Sequence, residues 1–136
     1  MTELFVDTDI ALDLLLERLP FYTYSAKLFT LADKGFVKVF ISALTFNNLD
    51  YMLSKQCGRA ESRRILGQFK LLVTVLAVDD KIISLALNSS FADFEDAIQY
   101  YTAIENDITL LITRNLKDYK EAAISVMTAE SYLKRK

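Results

Sequence analysis

Three acids fall within four positions of Ala92-Asp93-Phe94-Glu95-Asp96-Ala97-Ile98-Gln99, where a helix is predicted to start. Two kinds of chemistry explain such a cluster. Acids in a first turn meet the positive end of the helix dipole, each contributing about 0.3–1 kcal/mol, and Asp93 is a ready N-cap. Alternatively, the carboxylates hold a hard cation. Taken alone, the cluster favours helix-end electrostatics. Other acids shift the balance. Asp7 closes an apolar strand-like run, where a purely structural chain gains little from a carboxylate, and Asp118 follows another such run through a short loop. Carboxylates brought together raise one another's pKa, which fold stability alone does not favour. A bound Mg²⁺ or Mn²⁺ does favour it, because hard ions take oxygen ligands.

The rest of the composition narrows the chemistry. The 136-residue chain has no histidine and a single cysteine, Cys57. No Ser-His-Asp or Cys-His nucleophilic site can be built, nor a zinc site of histidines or thiolates. An oxygen-bound metal that supplies an activated water remains, which points to metal-assisted phosphodiester hydrolysis. With a net charge of −2 the chain is not expected to coat nucleic acid non-specifically, though a local basic patch suffices for RNA. No run of about 18 apolar residues is present, so no membrane span is expected. The start, Met1 to Asp9, carries no basic segment of a signal peptide, and the lone thiol fits a reducing cytoplasm.

The elements that must position these groups follow from the apolar pattern. Strands are predicted at Leu4–Val6, Phe36–Ile41, Leu72–Val78, Thr109–Thr113 and Ile124–Met127. Helices are predicted at 10–19, closed by Pro20, at 22–34 with Gly35 as its cap, and at 42–54, 59–71, 79–87, 93–105 and 129–134. This alternation, with continuous apolar strands and no linker, predicts one α/β domain over residues 1–136 with a largely parallel sheet. Ligands in such sheets bind beyond the carboxyl ends of the strands. Asp7, Asp9, Ser42, Thr113, Arg114, Asn115 and Asp118 follow strands, and Asp93 and Asp96 open the helix leading into the fourth.

Four segments in order, FVDTDIALDLL, ISALTFNNLDYML, DFEDAIQYYTA and LLITRNLKDY, resemble the PIN-domain family, including its VapC-like ribonuclease toxins. The resemblance spans nearly the whole chain. It implies a three-layer α/β/α sandwich with a carboxylate-lined Mg²⁺ or Mn²⁺ site acting on single-stranded RNA. It further implies an antitoxin protein as partner and pairing as a homodimer. By position, Asp7, Asp96 and Asp118 become the catalytic and metal-holding acids, with Asp93 assisting. Asn115 stands where the family often has a further acid. Asn48 stands where it usually has a glutamate, and offers a carbonyl oxygen without charge. Asp50, two residues on, does not share its helix face.

Other residues carry both a functional and an ordinary reading. Asp9 orients Asp7 or a metal-bound water, or else N-caps the first helix. Thr113, Thr8 and Ser42 position water or phosphate, or else satisfy backbone groups. Arg114 and Lys117 hold RNA phosphates, or else are solvated loop charges. Lys55, Arg59, Arg63 and Arg64 form an RNA rim or an exposed face. The tyrosines, Tyr119 among them, stack bases or belong to the core. The apolar face of Ile10, Leu14, Leu15, Phe21, Leu28 and Phe29 is core, or in part a seat for an antitoxin helix. Two alternatives to the nuclease follow. One is a catalytically weak PIN-like module binding RNA or protein, suggested by Asn48. The other is a phosphatase of the haloacid-dehalogenase type, suggested by Asp7-Thr8-Asp9.

Overall fold

In the computed structural model, residues 1–135 are described, so the last position of the expected 1–136 domain, Lys136, lies outside the described residues. The central strand β1 (Thr2–Val6) sends alternate side chains to opposite faces, and both faces are covered. Leu4 and Val6 enter one core and Phe5 enters another. Strands β2 (Val37–Ser42), β3 (Val73–Leu76), β4 (Leu110–Ile112) and β5 (Ser125–Met127) complete a five-stranded sheet in the order β3-β2-β1-β4-β5. Every pairing is parallel. Helices α1 (Thr8–Leu15), α2 (Tyr22–Asp33), α3 (Ala43–Cys57), α4 (Arg59–Phe69) and α7 (Ala129–Lys134) pack on the face carrying Leu4 and Val6. Helix α6 (Phe94–Glu105) covers the other face, and α5 (Asp80–Leu87) packs against α6. This is the expected three-layer α/β/α sandwich.

Local chemistry explains the boundaries that shift from expectation. Helix α1 was expected at 10–19 but starts at Thr8, because the Asp7 carboxylate accepts the Thr8 N–H and caps it. The N-cap thus falls to Asp7 and not to Asp9. The helix ends before Pro20. Glu17 turns into the left-handed region at φ 52°, and Arg18 folds back so that its N–H meets the Asp13 carbonyl at 3.1 Å. Strand β3 starts one residue later than expected because Lys70–Leu72 forms a 3₁₀ turn, and it ends at Leu76, two residues before the expected Val78. Helix α2 stops where Gly35 takes φ 81°, a conformation that costs glycine little.

The connectivity places the site. The chain leaves β1 for β2 and β3 on one side, then returns to β4 on the other side of β1. Parallel sheets take ligands in the crevice where the direction of winding reverses, which here falls beyond the carboxyl ends of β1 and β4. Asp7 and Thr113 are the residues immediately after those strands.

The core is sealed at the α3 side by Leu49, which is fully buried. Leu49→Ala is expected to lower the unfolding free energy by about 2–5 kcal/mol in chemical denaturation. A loss under about 1 kcal/mol would show that α3 is not integral to the core.

Candidate metal centre at the strand ends

Asp7 is buried, and four donors from four parts of the chain converge on its carboxylate. Thr8 N–H donates to Oδ1 at 2.8 Å and Gln99 Nε2 approaches the same oxygen at 3.5 Å. The Thr113 hydroxyl donates to Oδ2 at 2.9 Å and the Tyr119 hydroxyl lies 3.1 Å from it. Burial nonetheless outweighs these four bonds and holds the Asp7 carboxyl above the usual carboxylate range.

Asp96 sits in the first turn of α6, within 3.4 Å of the same Tyr119 hydroxyl. One hydroxyl therefore spans the two acids. It has a single proton, so it donates fully to only one of them at a time. Burial, then the charges of Asp7, Asp93, Asp118 and Glu95, push Asp96 up to about 7. Burial, Asp7 and Asp96 push the Tyr119 phenol upward as well, so it stays protonated across the working pH range.

Asp93, Glu95 and Asp118 stand exposed around this pair. Asp93 is the N-cap of α6, accepting the Asp96 N–H at 3.1 Å. Burial, then Asp7, then Asp93 raise Glu95, and its Oε1 accepts a hydrogen bond from Asn48 Nδ2 at 3.0 Å. Asp118 lies in the 3₁₀ turn Leu116–Tyr119.

Asp9 accepts the Arg114 N–H at 3.3 Å and the Asn115 side-chain amide at 2.9 Å through Oδ2. Its Oδ1 is buried with no hydrogen-bond partner among the described residues. Burial and then Asp7 push Asp9 up to about 7.

The donor set fits a hard divalent ion. Asp7, Asp9, Asp93, Glu95, Asp96 and Asp118 form no ion pair with a described lysine or arginine. The unpartnered Asp9 Oδ1 and the two acids sharing one hydroxyl are groups that a hard cation would satisfy. As the side chains stand, no three acids among the described residues close on a common point. Mg²⁺ is commonly bound through only one or two protein carboxylates, keeping several waters, so the Asp7–Asp96 pair meets that demand.

A family model for the PIN domain matches residues 3–117. The chain belongs to the PIN-domain family. This PIN domain has the fold of FitAcB from Neisseria gonorrhoeae, with 15% identity and a TM-score of 0.72 over 93% of this chain and 98% of that one. It is likewise similar to VapBC2 from Rickettsia felis, solved bound to a DNA fragment from its promoter, with 17% identity and a TM-score of 0.68 over 93% and 97% of the two chains. VapC20 from Mycobacterium tuberculosis, a sarcin-ricin loop cleaving toxin, aligns with 16% identity and a TM-score of 0.63 over 79% of this chain and 86% of its own. No curated protein sequence matches the chain.

The PIN domain brings Asp7, Asp96, Thr113 and Asp9 together, with Asn115 against Asp9 and Asp93 and Asp118 on the rim. It gives Arg114 a different environment from Lys117. The Arg114 guanidinium lies 4.0 Å over the Phe21 ring and its Nε stands 3.0 Å from Asp13. Asp13 is fully buried and also holds Arg18 at 3.1 Å. Lys117 is exposed. The second basic cluster is partly self-satisfied, since Arg64 bonds Glu61 and Lys55 lies 4.2 Å over Tyr51. Ile10, Leu28 and Phe29 of the face considered for a partner are core, Leu14 and Leu15 are partly buried against it, and Phe21 is exposed.

Four contributors escaped the sequence reading as site residues. Tyr119 was weighed only as a stacking or core ring. Gln99, fully buried, takes the Ser42 hydroxyl at 2.6 Å and donates to Thr45 at 2.8 Å and Thr8 at 3.2 Å. Its signal was available, as a polar residue three after Asp96 and between Ile98 and Tyr100. Glu95 was read only within the acid cluster, and Asp13 was not singled out.

Two outcomes follow for the protein in EDTA. Asp96 and Asp9 hold protons in the fold up to about pH 7 but release them near 3.9 when unfolded. The folded state therefore binds more protons between those values, and stability falls as pH rises through that window. The melting temperature should decline from pH 4 to pH 7 and level off above, with Asp96→Asn flattening the decline and raising the value at pH 8. A profile unchanged by Asp96→Asn would show that this carboxyl is not held protonated. Separately, Arg114→Met should cost on the order of 1–3 kcal/mol by leaving Asp13 underpaired, and Lys117→Met should cost nothing measurable. Equal effects in denaturant titrations would refute the distinction.

Proposed function

We propose that this PIN domain is a metal-dependent endoribonuclease that hydrolyses phosphodiester bonds of single-stranded RNA, as the toxin of a cytoplasmic toxin–antitoxin pair. The observation that carries the reading is the pairing of Asp7 and Asp96 on one hydroxyl at the strand-end crevice, among acids that lack a cationic partner. Family membership supports nuclease chemistry. The neighbours described as toxins, or solved as VapBC and FitAB complexes, support the antitoxin partner. No helix among the described residues is long and apolar enough to cross a membrane.

Asp7 and Asp96 would hold Mg²⁺ or Mn²⁺, with Asp118 and Asp93 completing the acidic rim. The ion, when bound, supplies an activated water and neutralises charge on the attacked phosphate. Thr113 and the start of α1 fix the Asp7 carboxylate. Asp9 fixes the loop after β4 through Arg114 N–H and the Asn115 amide, and so positions Asp118. Without a cation this group of acids repels phosphate, so RNA approach and metal binding are coupled electrostatically. Lys117 is free to contact backbone phosphates, whereas Arg114 chiefly anchors its loop to Asp13. Pairing as a homodimer belongs to the same reading. A catalytically weak binding module is the second reading, and the neutral amide of Asn48 favours it.

The deciding experiment is cleavage of a mixed single-stranded RNA pool by the purified chain with Mn²⁺, Mg²⁺ or EDTA. Metal-dependent cleavage should fall on the order of 100-fold or more in Asp7→Asn and in Asp96→Asn, with circular dichroism unchanged. Cleavage in EDTA, or undiminished cleavage in both variants, would overturn the assignment. RNA binding without cleavage under any metal would establish the binding module instead.

A further inference from the structure

Helices α3 and α6 meet at the crevice through two polar rungs. Thr45 on α3 accepts from Gln99 on α6 at 2.8 Å. Asn48, three residues further along α3, donates to Glu95, four residues earlier on α6, at 3.0 Å. Residues three and four apart share a helix face, so the two rungs are stacked one turn apart. The inner rung touches the Asp7 network directly, since Gln99 also reaches Thr8 and the Asp7 carboxylate. The outer rung therefore lies beside the same centre. Asp50 points elsewhere, accepting from Ser54 at 3.2 Å and from Ser62 on α4 at 2.7 Å.

We propose that Glu95 is an acid of the metal centre, held toward it by the Asn48 amide, so that α6 supplies the negative charge that α3 lacks. The inference rests on the metal-dependent reading above. A carboxamide at position 48 is suited to this task. It carries an N–H pair that a carboxylate cannot offer, and a carboxylate accepts that bond while leaving its second oxygen available. Glu95 has no lysine or arginine partner among the described residues, and its carboxyl lies in the field of Asp7. An acid on either side of the outer rung places charge at the same point, so an acid at position 48 and an acid at position 95 are alternatives. The second reading of the function, in which Asn48 marks a degraded site, loses its basis if Glu95 fills this role.

Glu95→Gln separates charge from shape, because glutamine still accepts the Asn48 hydrogen bond. Mn²⁺ affinity of the full chain is measured by calorimetry for wild type, Glu95→Gln and the double variant Asn48→Glu/Glu95→Gln, with thermal unfolding in EDTA as the check on folding. Glu95→Gln should bind Mn²⁺ roughly 10–100-fold more weakly. The double variant, which returns the acid to α3, should recover most of the loss. Unchanged affinity in Glu95→Gln, or a double variant no tighter than it, would overturn the role of Glu95 while leaving the metal centre standing. A wild-type chain that binds no Mn²⁺ would overturn both.

Discussion

An ionisable carboxyl group at the buried end of the central strand is the constraint around which this domain is arranged. Removing an ionisable acid from water is costly unless donors replace the lost hydration. Asp7 obtains its donors from the start of α1, the residue after β4, the first turns of α6 and the turn ending at Tyr119. Apart from the adjacent Thr8, they lie about a hundred residues away along the chain, in α6 and in the segment after β4. Meeting the hydrogen-bond needs of one side chain therefore brings the strand ends and the α6 helix into fixed register. Even so, burial dominates and holds the carboxyl above the usual carboxylate range.

Two further networks fix the walls of the crevice. Gln99 is fully buried and ties together the ends of β1 and β2, through Thr8, Ser42 and Thr45. Asp13, equally buried, draws in Arg18 and Arg114 and so clamps the loop after β4 against α1. The result is a division between buried polar groups that set geometry and exposed acids, Asp93, Glu95 and Asp118, that stand at the rim. The buried groups have little rotameric freedom. Of the rim acids, Asp93 is held by its cap on α6 and Glu95 by the Asn48 amide.

The ordinary and the functional readings of the acids prove compatible. Asp93 caps α6, as helix-end electrostatics predicts, and in doing so sets the first turn that carries Glu95 and Asp96. Asp7 caps α1 with one oxygen while its other oxygen faces Thr113 and Tyr119. A residue at a helix start next to a strand end can serve both purposes, because the cap consumes one lone pair and the carboxylate has several.

Much of this was legible in the sequence. Apolar runs alternating with helical periodicity gave the layered α/β architecture, and the resemblance in four ordered segments gave the family. The rule that ligands lie beyond parallel strand ends singles out Asp7, Asp9, Ser42, Thr113, Arg114, Asn115 and Asp118 after strands, and Asp93 and Asp96 at the start of the helix before β4. Those features are local, since periodicity, capping and strand termini are written within a few residues of one another. What only the tertiary structure decided are pairings between distant positions: Thr113 with Asp7 across 106 residues, Tyr119 with Asp7 across 112, Asn48 with Glu95 across 47. It also decided that Arg114 serves Asp13 and Lys117 faces solvent, although the two stand three apart in one loop. The physical reason is that burial and hydrogen-bond partners are properties of the assembled core. Residues of like charge, such as Arg114 and Lys117, take different roles according to the surface the fold lays against them.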